Sequence, residues 1–117
     1  MNGWWNKNAE KRLSDFKAWV GPIDQPSKVY CRSHVIKQQY KTIIDCGCGL
    51  AIDCFGYKSV GSRIKYTGLD SCKYFNKLNA ERGVAMVEAE LETDLPIADN
   101  SYDVSYCREV IEHLSYY

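Results

Sequence analysis

The stretch Thr42–Ala51, TIIDCGCGLA, constrains the fold more than any other part of the chain. Ile43-Ile44 is a short apolar run of the kind that ends a buried strand, and Asp45 follows it at once. Cys46-Gly47-Cys48-Gly49 then forms a tight loop, and the residues beyond it can open a helix. Strand, glycine turn and helix in that order build the nucleotide site of an open parallel α/β sheet. The glycines clear side chains from the path of a ligand, and the helix N-terminus presents N–H groups. Twenty-one residues after Gly49, at the end of a second apolar stretch over Ile64–Leu69, stands Asp70. An acid at that strand tip can accept from a pair of ribose hydroxyls.

The loop discriminates between nucleotides. A dinucleotide fingerprint, G-x-G-x-x-G/A, counted from Gly47 needs a small residue at position 52, where Ile52 would hold helix and strand apart. The pattern acid-x-Gly-x-Gly-x-Gly fits better, as Asp45-Cys46-Gly47-Cys48-Gly49-Leu50-Ala51, with Ala51 in place of the last glycine. This resembles the first motif of the class I S-adenosylmethionine-dependent methyltransferases.

The rest of the chain supplies the frame. Trp5, Ala9, Leu13, Phe16 and Val20 recur at helical spacing over residues 4–20, and Gly21-Pro22 ends that run. A second helix is expected from Pro26-Ser27 to about Tyr40, with Val29, Val35 and Ile36 turned inward. Strands are expected at 42–46, 64–69, 84–87 and 102–107. Helices are expected at 50–60 and 72–82, and a last one from Arg108. Strands and helices alternate, so the expected fold is α/β: one Rossmann-like open parallel sheet of about four strands. Helices cover both faces, and two helices lead. Residues 1–40 form the helical lead and 41–117 the α/β core of a single domain, which buries ~65% of its unfolded surface.

The segment Glu90–Leu114 carries the rest of the resemblance. Asp94-Leu95-Pro96-Ile97, Asp99-Asn100-Ser101-Tyr102-Asp103-Val104 and Glu112-His113-Leu114 are similar to motifs of the ubiquinone/menaquinone-biosynthesis methyltransferases, type 11. Together with the glycine loop they span Asp45 to Leu114. The resemblance implies S-adenosylmethionine as cofactor and S-adenosylhomocysteine as product. Asp45 would hold the ammonium, and the N–H groups of Cys46, Gly47, Cys48 and Gly49 would face the methionine part. Asp70, followed by Ser71, would bind the ribose. Glu90 and Leu91 would border the adenine, with Glu88 and Glu92 as alternatives to Glu90. Cys107 and Arg108 would line the sulfonium side.

Methyl transfer needs alignment of acceptor and methyl carbon, an effect worth up to ~7–11 kcal/mol, and a base only if the nucleophile must lose a proton. His113 and Glu109, with Glu112, are the candidates; His34 reads as a surface residue. The relatives continue for three further strands. The chain therefore reads as C-terminally truncated, and a homo-oligomer is expected through the strand-four edge and the last helix. The implied acceptor is a small molecule. A non-catalytic protein that binds S-adenosylmethionine or S-adenosylhomocysteine, or a regulatory subunit, is the alternative.

Composition narrows the partners. Net charge is zero, so no broad basic footprint for nucleic acid exists. The segments of amino-directed and cytosine-C5 DNA methyltransferases are missing: Tyr106-Cys107-Arg108-Glu109 stands where they would lie. No apolar run approaches ~18 residues, so no membrane span is expected. The first residues lack a signal-peptide core. Six cysteines in an α/β pattern point to reduced thiols in the cytoplasm. Cys46, Cys48 and Cys54 do not have zinc-knuckle spacing, so no metal is expected.

Overall fold

The computed structural model describes residues 3–108 and 110. Five helices and four strands run in the order α1 (Trp4–Asn8), α2 (Leu13–Val20), α3 (Pro26–Lys37), β1 (Thr42–Cys46), α4 (Ile52–Ser59), β2 (Lys65–Asp70), α5 (Lys73–Glu81), β3 (Ala85–Glu88) and β4 (Val104–Cys107). The strands form one parallel sheet, ordered β3-β2-β1-β4. This is the expected Rossmann-like α/β fold. Register brings Asp45 opposite Gly68 and Tyr106, and Asp70 opposite Glu88, so the acidic strand ends share one edge of the sheet.

Alternation along β1 decides what each face buries. Ile43 packs with Val35 of α3, Cys54 and Tyr57 of α4, and Tyr66 of β2. The opposite face presents Ile44 and Ser105 to the irregular segment 93–102, which takes the helical cover's place there among the described residues. Asp103 ties the starts of β1 and β4 together. Its carboxylate accepts from the Lys41 and Thr42 N–H groups at 2.7 and 3.2 Å, and its own N–H donates to the Thr42 hydroxyl at 2.8 Å.

Two expectations for the lead are corrected. The helix over 4–20 is two helices with a turn over residues 9–12. Ala9 is buried at that turn beside Phe75, while Asn6 reaches α5. The Asn6 side chain accepts from the Lys73 N–H at 2.7 Å and donates to the Ser71 carbonyl at 3.1 Å, so it caps α5 from a distance. Docking α1 on α5 in this way breaks the run and lets α2 turn over the glycine loop. The inward face of α3 is also rotated: Lys28, Arg32 and Val35 are buried, whereas Val29 and Ile36 are exposed. Lys28 donates to the carbonyls of Val20 and Pro22 at 2.5 and 3.1 Å, and Arg32 to that of Ile23 at 3.0 Å. The α2–α3 connection turns carbonyls towards α3, and the long donors Lys28 and Arg32 reach them in place of the two aliphatic residues.

No helix among the described residues is long and apolar enough to cross a membrane. The last helix expected from Arg108 is not formed at Arg108 or Val110, and the rest of that expectation, with Glu109, Glu112 and His113, lies outside the described residues.

Candidate functional site

The loop after β1 is built from alternating left-handed residues. Gly47, Gly49 and Ala51 have φ of 72°, 57° and 54°. That alternation is the physical content of the acid-x-Gly-x-Gly-x-Ala pattern, because L side chains resist positive φ and the smallest resist it least. Space is as restrictive as conformation. A Cβ at Gly47 would stand 2.5 Å from Val110, and one at Gly49 would stand 2.7 Å from Phe16 of α2.

The protein uses the loop's polar groups itself. The N–H groups of Gly47 and Cys48 donate to the Leu69 carbonyl at 2.7 and 3.1 Å. The Gly49 N–H donates to one oxygen of Asp70 at 2.8 Å, and the Cys72 N–H donates to the other at 2.9 Å. From α5, the buried Asn79 donates to the Gly49 carbonyl, and Arg82 donates to the Leu50 carbonyl and to Asn79. The expected row of N–H groups facing a ligand is therefore not offered by Gly47, Cys48 and Gly49. The loop presents bare glycine backbone, and Asp70 fixes its shape with lone pairs to spare.

Above the loop lies a cavity of about 220 Å³. Asp45, Gly47, Cys48 and Gly49 line one side and Tyr106 and Arg108 of the β4 exit another. Ile52 and Asp53 open α4 below it, and Trp5, Phe16, Trp19 and Val20 of the lead close it. Trp5 and Phe16 also pack on Phe75, with ring centroids 5.7 and 4.5 Å away, so these aromatics are both core and cavity wall. Of the residues expected at the site, Asp45, Gly47, Cys48, Gly49 and Arg108 line this cavity. Asp70 and Ser71 are not among its lining residues, though Asp70 touches the loop through the Gly49 N–H. Glu90 and Leu91 are half-buried just past β3, next to Glu88, which pairs with Lys73 at 3.9 Å. Glu92 is exposed. Cys46 and Cys107 are not among the cavity's lining residues.

Carboxyls line the cavity floor. Burial pushes the Asp45 carboxyl up to about 7, and neighbouring Asp53 and Asp70 push the same way, against a hydrogen bond donated by the Tyr66 hydroxyl. Burial also raises Asp53, opposed by Lys28, Tyr106, Arg32 and Arg108. Arg32 stands 3.7 Å from Asp53. The Tyr106 hydroxyl is buried beside Asp53 without a partner of good hydrogen-bond geometry. Burial raises Asp70 as well, and its backbone donors oppose that. Arg108 is held back from the cavity centre by Ser27 at 2.7 Å and Gln25 at 3.3 Å. Several carboxyls that ionise reluctantly around one cavity suit a cationic ligand.

Comparison with known proteins identifies the family. The methyltransferase domain family matches residues 44–117, from β1 to the last residue of the chain. The chain belongs to that family. Among solved structures, an S-adenosylmethionine-dependent methyltransferase of Methanococcus maripaludis shares 18% identity over 97% of this chain and 52% of its own, with a TM-score of 0.64. The plantazolicin methyltransferase BpumL, solved with S-adenosylhomocysteine, shares 14% over 90% of this chain and 43% of its own, also at 0.64. The amino pentose methyltransferase CalS10 of Micromonospora echinaspora, solved with S-adenosylmethionine, shares 18% over 70% and 35%, at 0.55. The chain spans between 31% and 52% of the length of the structures it resembles. No curated protein matches the sequence.

Several residues at the site, in the matched domain and in the lead before it, carry no motif. Asp53, Lys28, Arg32, Tyr106, Asn79 and Arg82 all act on the cavity or its loop. The available signal is the cationic pair Lys28 and Arg32, four residues apart and in line with Val35 on one helical face.

Proposed function

We propose that the chain binds S-adenosylmethionine across the carboxyl ends of β1, β2 and β3 and transfers its methyl group to a small-molecule acceptor. The observation that carries this reading is the loop itself: bare Gly47 and Gly49 backbone beside the cavity, Asp45 on the floor and Asp70 bound to the Gly49 N–H. The ammonium of the methionine part goes to Asp45, whose charge is otherwise disfavoured by burial. The ribose hydroxyls donate to the remaining lone pairs of Asp70, near Ser71. The adenine lies by Glu90 and Leu91. The sulfonium faces Arg108 and the β4 exit, with the aromatic lead over it. The cofactors held by CalS10 and BpumL support the choice of ligand.

In the reaction, a lone pair of the acceptor attacks the methyl carbon and the carbon–sulfur bond breaks. Its electrons stay on sulfur, giving S-adenosylhomocysteine. The domain's part is alignment and exclusion of water, for which Trp5, Phe16 and Trp19 are placed. If the acceptor must lose a proton, His113 and Glu109 are the proposed bases. The test is S-adenosylhomocysteine release from the purified chain with a panel of small hydroxyl, amine and thiol acceptors. Turnover above the acceptor-free rate supports the enzyme. Tight binding with no turnover on any acceptor gives the non-catalytic binding protein instead.

We further propose that copies pair through β4, which has β1 on one side and no strand on the other among the described residues. An open edge strand is a template for pairing. Light scattering on the eluting protein should give a dimer or larger, and a monomer at all concentrations contradicts the pairing. Six cysteines in a chain of α/β pattern support a reducing, cytoplasmic setting for this reading.

A further inference from the structure

Cys46 ends β1, Cys107 ends β4, and the two are register partners in the parallel ladder between those strands. Register partners in a sheet point to the same face. Neighbouring strands lie about 4.8 Å apart, inside the roughly 4.4–6.8 Å between α-carbons that a disulfide spans. Cys107 is exposed and Cys46 half-buried. The other cysteines sit apart from them: Cys54 and Cys72 are buried in separate apolar clusters, Cys48 packs towards Gly68, and Cys31 lies on α3.

We propose that Cys46 and Cys107 form a reversible dithiol–disulfide site that ties β4 to β1 beside the glycine loop and weakens cofactor binding. The oxidant is a peroxide. The exposed Cys107 sulfur attacks one peroxide oxygen, the O–O bond breaks and water leaves, giving a sulfenic acid. The Cys46 sulfur then attacks the Cys107 sulfur, the S–O bond breaks and a second water leaves. Two thiols have passed two electrons to hydrogen peroxide, and the products are one disulfide and two waters. Burial raises the Cys46 thiol, and Cys107 nearby raises it further, so the exposed Cys107 rather than Cys46 meets the peroxide first. A small thiol reverses the bond by exchange.

The bond would act on the site because each cysteine precedes a residue at the cavity: Gly47 on one strand, Arg108 on the other. Closing the β-carbons from strand spacing to the ~3.8 Å of a disulfide draws the two strand tips together by about 1 Å. That narrows the gap in which the methionine part lies. This consequence rests on the cofactor reading; the bond itself does not.

The test treats the full chain with hydrogen peroxide and maps its peptides by mass spectrometry. Expected is a Cys46–Cys107 linked peptide that has lost two hydrogens. It disappears with dithiothreitol and is absent from Cys46→Ser and from Cys107→Ser. Links among other cysteines, or over-oxidised Cys107 with no link to Cys46, overturn the site. S-adenosylmethionine is then titrated into the oxidised protein and into the same sample after dithiothreitol. Oxidation should weaken binding about tenfold, the scale of one lost contact, and re-reduction should restore it. Equal affinities with the link in place overturn the effect on binding. A reduced protein that does not bind S-adenosylmethionine refutes the cofactor reading, while the linked peptide still decides the site.

Discussion

At the scale of single residues, Asp45 has the most to report. Its carboxyl is pushed up to about 7 in the folded chain, against 3.8 ordinarily. Between those values the native state binds a proton that the unfolded state has released, so this group's contribution to stability falls as pH rises through the window. Asp45→Asn removes the ionisation and keeps an oxygen to accept from Tyr66. In urea unfolding of the ligand-free protein from pH 4 to pH 8, the variant should gain on the wild type by roughly 2–4 kcal/mol. A pH-independent difference would contradict the buried, reluctant carboxyl.

The same shift sets the sign for ligand binding. A cationic ammonium needs Asp45 ionised, so S-adenosylmethionine affinity should rise from pH 6 to pH 8 in wild type and stay level in Asp45→Asn. Titration calorimetry reads both. Asp45 and its loop were legible because a strand-end acid followed by alternating small residues is a short-range pattern. Its partner Tyr66 was not, since the two meet only through the β1–β2 register.

At the scale of elements, the site depends on how α3 crosses α4. A Cβ at Gly56 would meet the Arg32 guanidinium at 2.1 Å, so only glycine lets Arg32 lie across α4 towards Asp53. Gly56→Ala should cost about 1–3 kcal/mol in urea unfolding, the usual range for overpacking. Asn6→Ala removes the remote cap of α5 and should cost about 1 kcal/mol, read in the same way.

The strands and the two helices of the α/β core were read within a residue or two, because apolar runs between glycine turns leave few alternatives. The lead was read less well. Helical periodicity over residues 4–20 is continuous in the sequence, and the break comes from tertiary bonds of Asn6 to residues 71 and 73. Hydrophobicity favours Val29, Val35 and Ile36 for the inward face of α3, and of these Val35 alone is buried. Carbonyls at Val20, Pro22 and Ile23 claimed Lys28 and Arg32 instead.

At the scale of the whole molecule, two apolar clusters pack the elements together among the described residues. One joins β1 and β2 to α3 and α4, and the other joins the lead to α5 through Phe75. Phe75 is 2% exposed and touches Trp5 and Phe16, so Phe75→Ala should cost about 3–5 kcal/mol. Unfolding followed by tryptophan fluorescence, with tryptophans confined to the lead, and by circular dichroism should show one coincident transition in the wild type. The core is what gives the lead its place over the cavity.

Asp70 is the residue on which the proposed S-adenosylmethionine site turns, since it shapes the loop and is offered as the ribose ligand. Calorimetric titration of the 117-residue chain with S-adenosylmethionine, with NAD as control and Asp70→Ala alongside, tests it most directly. Expected are micromolar binding of S-adenosylmethionine, none of NAD, and at least about tenfold weaker binding in a folded Asp70→Ala. A folded wild-type chain that ignores S-adenosylmethionine, or binds it as well without the Asp70 carboxylate, would contradict the proposed site.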